Sequence, residues 1–155
     1  MLKVQNCAVK TLSCGVLLLN RECELLLGHA TGLAHWDIPK GMCNTGESPL
    51  LAALRETTEE TGLVLRHEEL IELGRFGYRP GKDLHPFASL HERVAISALK
   101  CSTFFRDKTG RTHPEIDGFA WVPLAQAPDH CAKNMRALLT GPVDLHAMWQ
   151  RLVNR

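Results

Sequence analysis

The sequence predicts an α/β fold in which a mixed β-sheet packs between helices. Three observations carry that expectation. Apolar, β-rich runs at residues 8–19 and 24–29 flank the polar Asn20-Arg21-Glu22, the pattern of a hairpin. A helix with clear start and stop signals follows. More strands come next, and helices close the chain, so strands bracket one helix and precede others.

The first strand is apolar on both faces, as a strand inside a sheet should be. Lys10 interrupts the apolar run, and Val16 to Leu19 is too short for a signal sequence or a membrane span. Trp36-Asp37-Ile38 reads as a short extended piece stopped by Pro39 and Gly41. Ser48 suits a helix N-cap and Pro49 the first helical position. Gly62 suits the residue just past the helix end. At about 100° per residue, Leu50, Leu54, Thr57 and Thr61 share a face, with Ala53 beside them. Arg55, Glu56, Glu59 and Glu60 take the opposite side, so these acids are expected to point away from the core.

Residues 70–79, 84–90 and 93–100 read as strands, and the apolar 101–105 as sheet or interface. A polar turn follows at Asp107 to Arg111, and Ala120 to Val122 reads as a last short strand before Pro123. Asp129 to Leu139 reads as a helix ended by Gly141-Pro142, and a final helix spans about 144–153. In that helix Leu145, Met148, Trp149 and Leu152 share one face, suited to core packing or to dimerisation.

The 155 residues fit a single domain, 1–155. With 18 basic and 17 acidic residues the net charge is +1, so no overall field draws the chain to nucleic acid or anionic lipid. No membrane partner and no sequence-specific nucleic acid is expected. The six cysteines form no C-x-x-C pair and read as reduced thiols of a cytoplasmic protein, with a disulfide as the alternative.

Glu56, Glu59 and Glu60 crowd the end of the first helix. Spacings of three and four put them on one side, where like charges repel. The macrodipole there is also negative, and each acid costs about 0.3–1 kcal/mol. The plain alternative is a solvated acidic face. A divalent cation would offset both penalties, and magnesium takes carboxylate and phosphate oxygens together. The preceding loop, Pro39-Lys40-Gly41 to Thr45-Gly46-Glu47, lets backbone approach a metal or phosphate closely. Glu47, eight residues before Arg55, is placed for an ion pair that fixes the loop.

Gly41, five residues, Glu47, seven residues, then Arg55-Glu56-Thr57-Thr58-Glu59-Glu60-Thr61-Gly62-Leu63 resembles the Nudix box, G-x5-E-x7-R-E-U-x-E-E-x-G-U, where U is bulky and apolar. Every fixed identity matches; Thr57 departs at a U position. The resemblance implies a Nudix-type α/β/α sandwich that hydrolyses a nucleoside diphosphate linked to another group. It implies Mg²⁺ or Mn²⁺ as cofactor, in more than one ion. Glu56, Glu59 and Glu60 would be metal ligands, Glu59 also orienting or deprotonating water. Lys40 would offer its backbone carbonyl to a metal, and Arg55 and Glu47 would form the structural ion pair. Such sites often take a further acid from outside the helix; Glu115 is the candidate and Asp117 its competitor. The resemblance implies a general base that would be Glu59 or Glu115.

Three features address the substrate. Trp36-Asp37-Ile38-Pro39-Lys40-Gly41 is similar to the W-x-x-P-K-G run of diadenosine polyphosphate hydrolases. Tyr78, the only tyrosine, stands where members acting on dinucleoside polyphosphates tend to carry one for base stacking. Lys40, Arg79, Lys82 and His85 suit extra phosphates. Each also has an ordinary structural reading. A dinucleoside polyphosphate such as diadenosine tetraphosphate is the first expectation. ADP-ribose, a nucleotide sugar, an oxidised nucleoside triphosphate or a capped RNA end are alternatives. A non-catalytic nucleotide-sensing domain, which would tend to lose a box carboxylate, is the reading from another class. The expected partner is a small nucleotide, and the chain is expected to be a monomer or homodimer.

Overall fold

The computed structural model describes residues 9–155; Ala8, the start of the expected first strand, and Cys7 lie outside the described residues. The centre of the sheet is β1 (Thr11–Leu19), joined to β2 (Glu24–Ala30) by the expected hairpin. From Ser13 onward every residue of β1 is buried. Its side chains alternate between two cores, as the period-2 pleat requires. Leu17 and Leu19 join one core, and Cys14, Val16 and Leu18 the other.

Two short strands follow, β3 (Trp36–Asp37) on β2 and β4 (Lys40–Met42) on β1. The expected extended piece is thus two residues of β3, and Pro39 and Gly41 do not stop the chain from pairing again. The helix α1 (Pro49–Thr61) has the expected ends. The Ser48 hydroxyl accepts from the Leu51 N–H at 3.2 Å. Gly62 sits at φ 80°, the left-handed conformation that a side chain disfavours.

The expected strand 70–79 is two pieces, β5 (Ile71–Glu72) and β6 (Phe76–Arg79), separated at Gly74 with φ 98°. Both pair with β7 (Lys82–Leu90), which runs parallel to β1 along its full length. The sheet order is β10-β2-β1-β7-β5, with one parallel pair, so it is mixed as expected.

Residues 93–100 do not form a strand. They hold a 3-10 turn, Ile96–Ala98, and run as a connection over the α1 side of the sheet. Both long edges of β7 are already paired, so no ladder is open to them. The connection is fixed by the Trp121 indole N–H, which donates to the Val94 carbonyl at 3.0 Å.

The polar turn at 107–111 joins β8 (Phe104–Arg106) to β9 (Thr112–Pro114), a separate two-stranded sheet. The last strand, β10 (Ile116–Pro123), is longer than the expected 120–122 because it pairs β2 along its length. The expected helix 129–139 is split into α2 (Ala127–His130) and α3 (Lys133–Thr140). Between them Cys131 is extended and bridges to Trp36, which breaks the helical hydrogen-bond run. The final helix, α4 (Leu145–Val153), lies where expected, with Leu145 and Leu152 buried.

α1 packs on β1, β4 and β7, closing the core of Cys14, Val16, Leu18, Ala52 and Ala53. α2 to α4 cover the opposite face, over Leu17, Leu25, Leu27, Met135 and Leu138. The result is the helix–sheet–helix sandwich. Among the described residues no helix is long and apolar enough to cross a membrane.

Candidate active site

The C-terminal half of α1 faces β4, and this corrects the expectation for its acids. Glu56 and Glu60 are 9% and 8% exposed, so both are buried, while Glu59 is half-buried. The face that meets the sheet carries Ala52, Ala53, Glu56, Thr57, Glu60 and Thr61. Leu50 and Leu54 lie at its margin. Two features make room for carboxylates there. Gly41 lacks the Cβ that would collide with the Glu56 carboxyl group. The backbone N–H of Lys40 donates to Glu60 at 3.0 Å. Thr57, the departure at an apolar position, is fully buried, and its hydroxyl is satisfied by the Ala53 carbonyl at 2.8 Å.

The expected Glu47–Arg55 pair is present and forked: Arg55 Nε and Nη2 each donate to a Glu47 oxygen at 2.9 Å. Arg55 Nη2 also reaches the Met42 carbonyl at 2.8 Å, tying the loop to β4. The guanidinium extends further than expected. Its Nη1 donates to Glu56 at 2.7 Å and to Glu59 at 3.2 Å. Arg55 thus supplies a cation for two of the three crowded acids, from one turn before Glu59.

These contacts set the ionisation. The Arg55 hydrogen bonds hold the Glu47 carboxyl down at about 2. Burial pushes Glu56 above the usual carboxylate range, against Arg55, with Glu59 and Glu115 adding to the rise. Burial pushes Glu60 up to about 8, although the Lys40 N–H and ammonium oppose it. A buried carboxylate without a full countercharge favours a proton or a cation.

Glu115 lies between β9 and β10, exposed, close enough for its charge to act on Glu56. The Thr103 hydroxyl donates to its carboxylate at 3.0 Å, and its N–H donates to the Thr103 carbonyl at 2.9 Å. Its competitor Asp117 points elsewhere, bonded to His29 Nδ1. The chain at 100–103 is itself anchored on α1. The Ser102 N–H and hydroxyl both donate to the Glu59 carbonyl, at 2.7 and 3.0 Å.

On the other side of β4 the Lys40 ammonium meets Asp37 at 2.7 Å. Burial works to lower its pKa, but Asp37 and the nearby Tyr78 hold it raised. Tyr78 is raised by burial and by Asp37. Lys82 is lowered by burial, then by Lys40 and Arg79. Trp36 and Tyr78 both pack at the margin of this core. Lys40, Tyr78 and Lys82 lie near one another on one face, with Arg79 close to Lys82 and Trp36 packed against the same core as Tyr78. His85 is not among them; it is on the α1 side of β7, bonded to Glu72 at 2.7 Å. Two residues escaped the sequence reading: Thr103, which holds Glu115, and Asp37, which holds Lys40. Thr103 stands in no recognisable local pattern; Asp37 lies inside the Trp36-to-Gly41 run, at a position that the run leaves unspecified.

The donor set suits a hard divalent ion: carboxylate oxygens, two of them poorly compensated. Among the described residues no three such side chains are gathered at ligand distance. Glu56 and Glu59 are instead held by Arg55, so a cation would exchange with the guanidinium for their oxygens. Of the five cysteines described, all are free thiols. Open grooves beside α4 are lined by residues such as Phe76, Val143 and Met148 and include none of these acids.

A sandwich with this acidic helix, its clamped loop and the glycine beneath Glu56 defines a Nudix fold. The NUDIX domain family matches residues 9–140, and the chain belongs to that family of hydrolases. The chain is 38% identical over 134 residues to an uncharacterised 17.7 kDa protein in the e-segB intergenic region of Enterobacteria phage T4, covering 79% of this chain and 89% of that one. It is 28% identical over 114 residues to an RNA pyrophosphohydrolase of Francisella tularensis subsp. mediasiatica, covering 69% of this chain and 74% of that protein. In structure it resembles a C. elegans Ap4A hydrolase binary complex, with TM-score 0.65 and 20% identity over 92% of this chain and 99% of that one. It spans only 43% of a MutT/nudix family protein from Enterococcus faecalis, with 23% identity, TM-score 0.56 and 72% of this chain covered. The chain is thus a Nudix hydrolase, and the family is generally dependent on a divalent metal.

Proposed function

We propose that this protein hydrolyses the pyrophosphate bond of a dinucleoside polyphosphate such as diadenosine tetraphosphate. The observation that carries the reading is the pairing of two faces across β4. The acids of α1 and Glu115 lie on one side, and Trp36, Lys40, Tyr78 and Lys82 on the other. Acids suit the metal-assisted end of the chemistry. The cationic and aromatic face suits polyphosphate and base.

In this reading Glu56, Glu59, Glu60 and Glu115, with the Lys40 carbonyl, would hold Mg²⁺ or Mn²⁺, in more than one ion, which would supply neutralisation of phosphate charge and a more acidic water. Glu59 is the acid best placed to orient or deprotonate water, since it is less buried than its neighbours and keeps only a 3.2 Å contact to Arg55. Arg55 and Glu47 fix the loop so that Lys40 and Gly41 present backbone to the site. Lys40, Tyr78 and Lys82 hold the phosphates and base, with Trp36 beside them. Residues 1–155 act as one domain in the cytoplasm.

The test is product release from diadenosine tetraphosphate, ADP-ribose, 8-oxo-dGTP and triphosphorylated RNA, with Mg²⁺ and with EDTA. ATP release from the first, abolished by EDTA, supports the reading. Preference for another compound refutes the substrate but keeps the metal chemistry.

A further inference from the structure

Beside Trp36 lies an acid–imidazole pair that the proposed hydrolysis does not use. His29 of β2 stands opposite Trp36 of β3 in the strand register, so the two side chains share a face. Their rings meet edge to face, with centroids 5.1 Å apart and planes at 63°. Trp36 borders the same core as Tyr78, on the side of the sheet away from α1. His29 Nδ1 is hydrogen-bonded to the Asp117 carboxylate.

A bulge in β10 seats that carboxylate. Ile116 pairs with Ala30 and Gly118 with His29, which leaves Asp117 as the extra residue. Phe119 packs on the α1-side core, so regular alternation would turn Asp117 to that side too. Instead Ile116 takes that side, over Gly28, and Asp117 meets His29 on the other. Bulges that re-aim a side chain are over-represented beside active sites. Gly118 keeps the space beside the indole open: a Cβ there would stand 3.8 Å from the Trp36 ring.

Both side chains of the pair stay reachable, at 27% exposure for His29 and 40% for Asp117. A neutral imidazole that gives its Nδ1 proton to a carboxylate is held in one tautomer. Its Nε2 then carries a lone pair and accepts a hydrogen bond. Asp117 thus makes His29 an oriented acceptor beside an aromatic ring. An ionised phosphate brings no donor to such an atom. A nucleoside does, through its ribose hydroxyls and, in adenosine, its base amine.

We infer that His29, oriented by Asp117, recognises the nucleoside that lies against Trp36, its Nε2 accepting from a ribose hydroxyl or from the base amine. The inference deepens the proposed function and rests on its placing of the nucleotide at Trp36. It gives Asp117 a recognition role in place of metal binding, and it separates nucleotides from other polyphosphates.

The experiment is calorimetric titration in EDTA, so that nothing is turned over, of wild type, His29→Ala, His29→Gln and Asp117→Ala. The ligands are ATP, 2′-deoxy-ATP, 3′-deoxy-ATP, inosine triphosphate and inorganic tripolyphosphate. The two deoxy compounds each lack one hydroxyl, and inosine triphosphate lacks the amine. His29→Ala weakens ATP about three- to tenfold, the scale of one hydrogen bond, and leaves tripolyphosphate unchanged. One analogue shows the same loss on wild type, and His29→Ala adds nothing to it; that analogue identifies the hydroxyl or the amine. His29→Gln, which also carries an acceptor, recovers part of the loss, and Asp117→Ala loses less than His29→Ala. An equal loss for ATP and all three analogues in His29→Ala overturns the inference in favour of packing against Trp36. No loss for ATP, an equal loss for tripolyphosphate, or a wild type that does not bind ATP also overturns it. The hydrolase reading falls separately, if the wild type cleaves no nucleotide with Mg²⁺.

Discussion

Gly41 has no Cβ, and the Glu56 carboxyl group occupies the space one would fill. The glycine is required here for close approach, not for a turn. It lets β4 pair with β1 through Cys14 while α1 brings a carboxylate against the strand. Gly41→Ala should drive the Glu56 side chain outward and lose about 1–3 kcal/mol, the usual cost of overpacking. Turnover should fall at least about tenfold, as a displaced ligand implies. Denaturation midpoints and initial rates check both. Unchanged activity would show that Glu56 works equally well from another position.

Arg55 joins the loop, through Glu47, to two acids of α1, Glu56 and Glu59, and Glu47 is its strongest partner. Glu47→Gln should cost about 1–3 kcal/mol, the range for a charge-assisted bond. The sign of its pH dependence follows from a folded value of about 2 against an ordinary 4.5. The contribution is complete above about pH 4.5 and is lost as pH falls through 2. Stability curves of wild type and variant should therefore converge in strong acid. A constant gap down to pH 2 would contradict the assignment.

Glu60 has the opposite sign. Its folded value of about 8 lies above the ordinary 4.5. Ionisation then costs the native state progressively more from pH 4.5 to 8, and the cost is constant above. Metal-free Glu60→Gln should melt about 3 °C or more above wild type at pH 9. That gain should shrink as pH falls toward 4.5. Added Mg²⁺ should raise the wild-type melting point more than the variant's. Calorimetry with and without EDTA measures all three, and a variant less stable at pH 9 would refute the buried-charge argument.

Local signals made the outline legible. Ser48, Pro49 and Gly62 are sequence-adjacent to the helix they bound, so α1 could be placed almost to the residue. The burial of Glu56 and Glu60 was not legible, because periodicity assigns charged residues to the wet side. What seats them, the Lys40 N–H and the absent side chain of Gly41, comes from a strand that reads as a loop. That strand pairs with β1 across the intervening β2 and β3, and such pairing leaves no local trace. The same reason hid the break at Cys131, which is set by a bridge to Trp36. Thr103 was invisible beside Glu115 for want of any fixed spacing. The Nudix spacing named the helix and its acids; the residues proposed for the substrate were named singly in the sequence, and their nearness depends on β4, β6 and β7, which pair far apart along the chain.

The central claim is that the acids of α1 perform metal-assisted hydrolysis with Glu59 acting on water. The most direct measurement is the rate of diadenosine tetraphosphate cleavage at saturating Mg²⁺ by wild type and Glu59→Gln, with melting curves alongside. The account predicts a loss of about 10²- to 10⁴-fold, the range for a positioned proton-transfer group, in a variant that melts like wild type. Near-wild-type turnover by Glu59→Gln would contradict it and pass the role to Glu115.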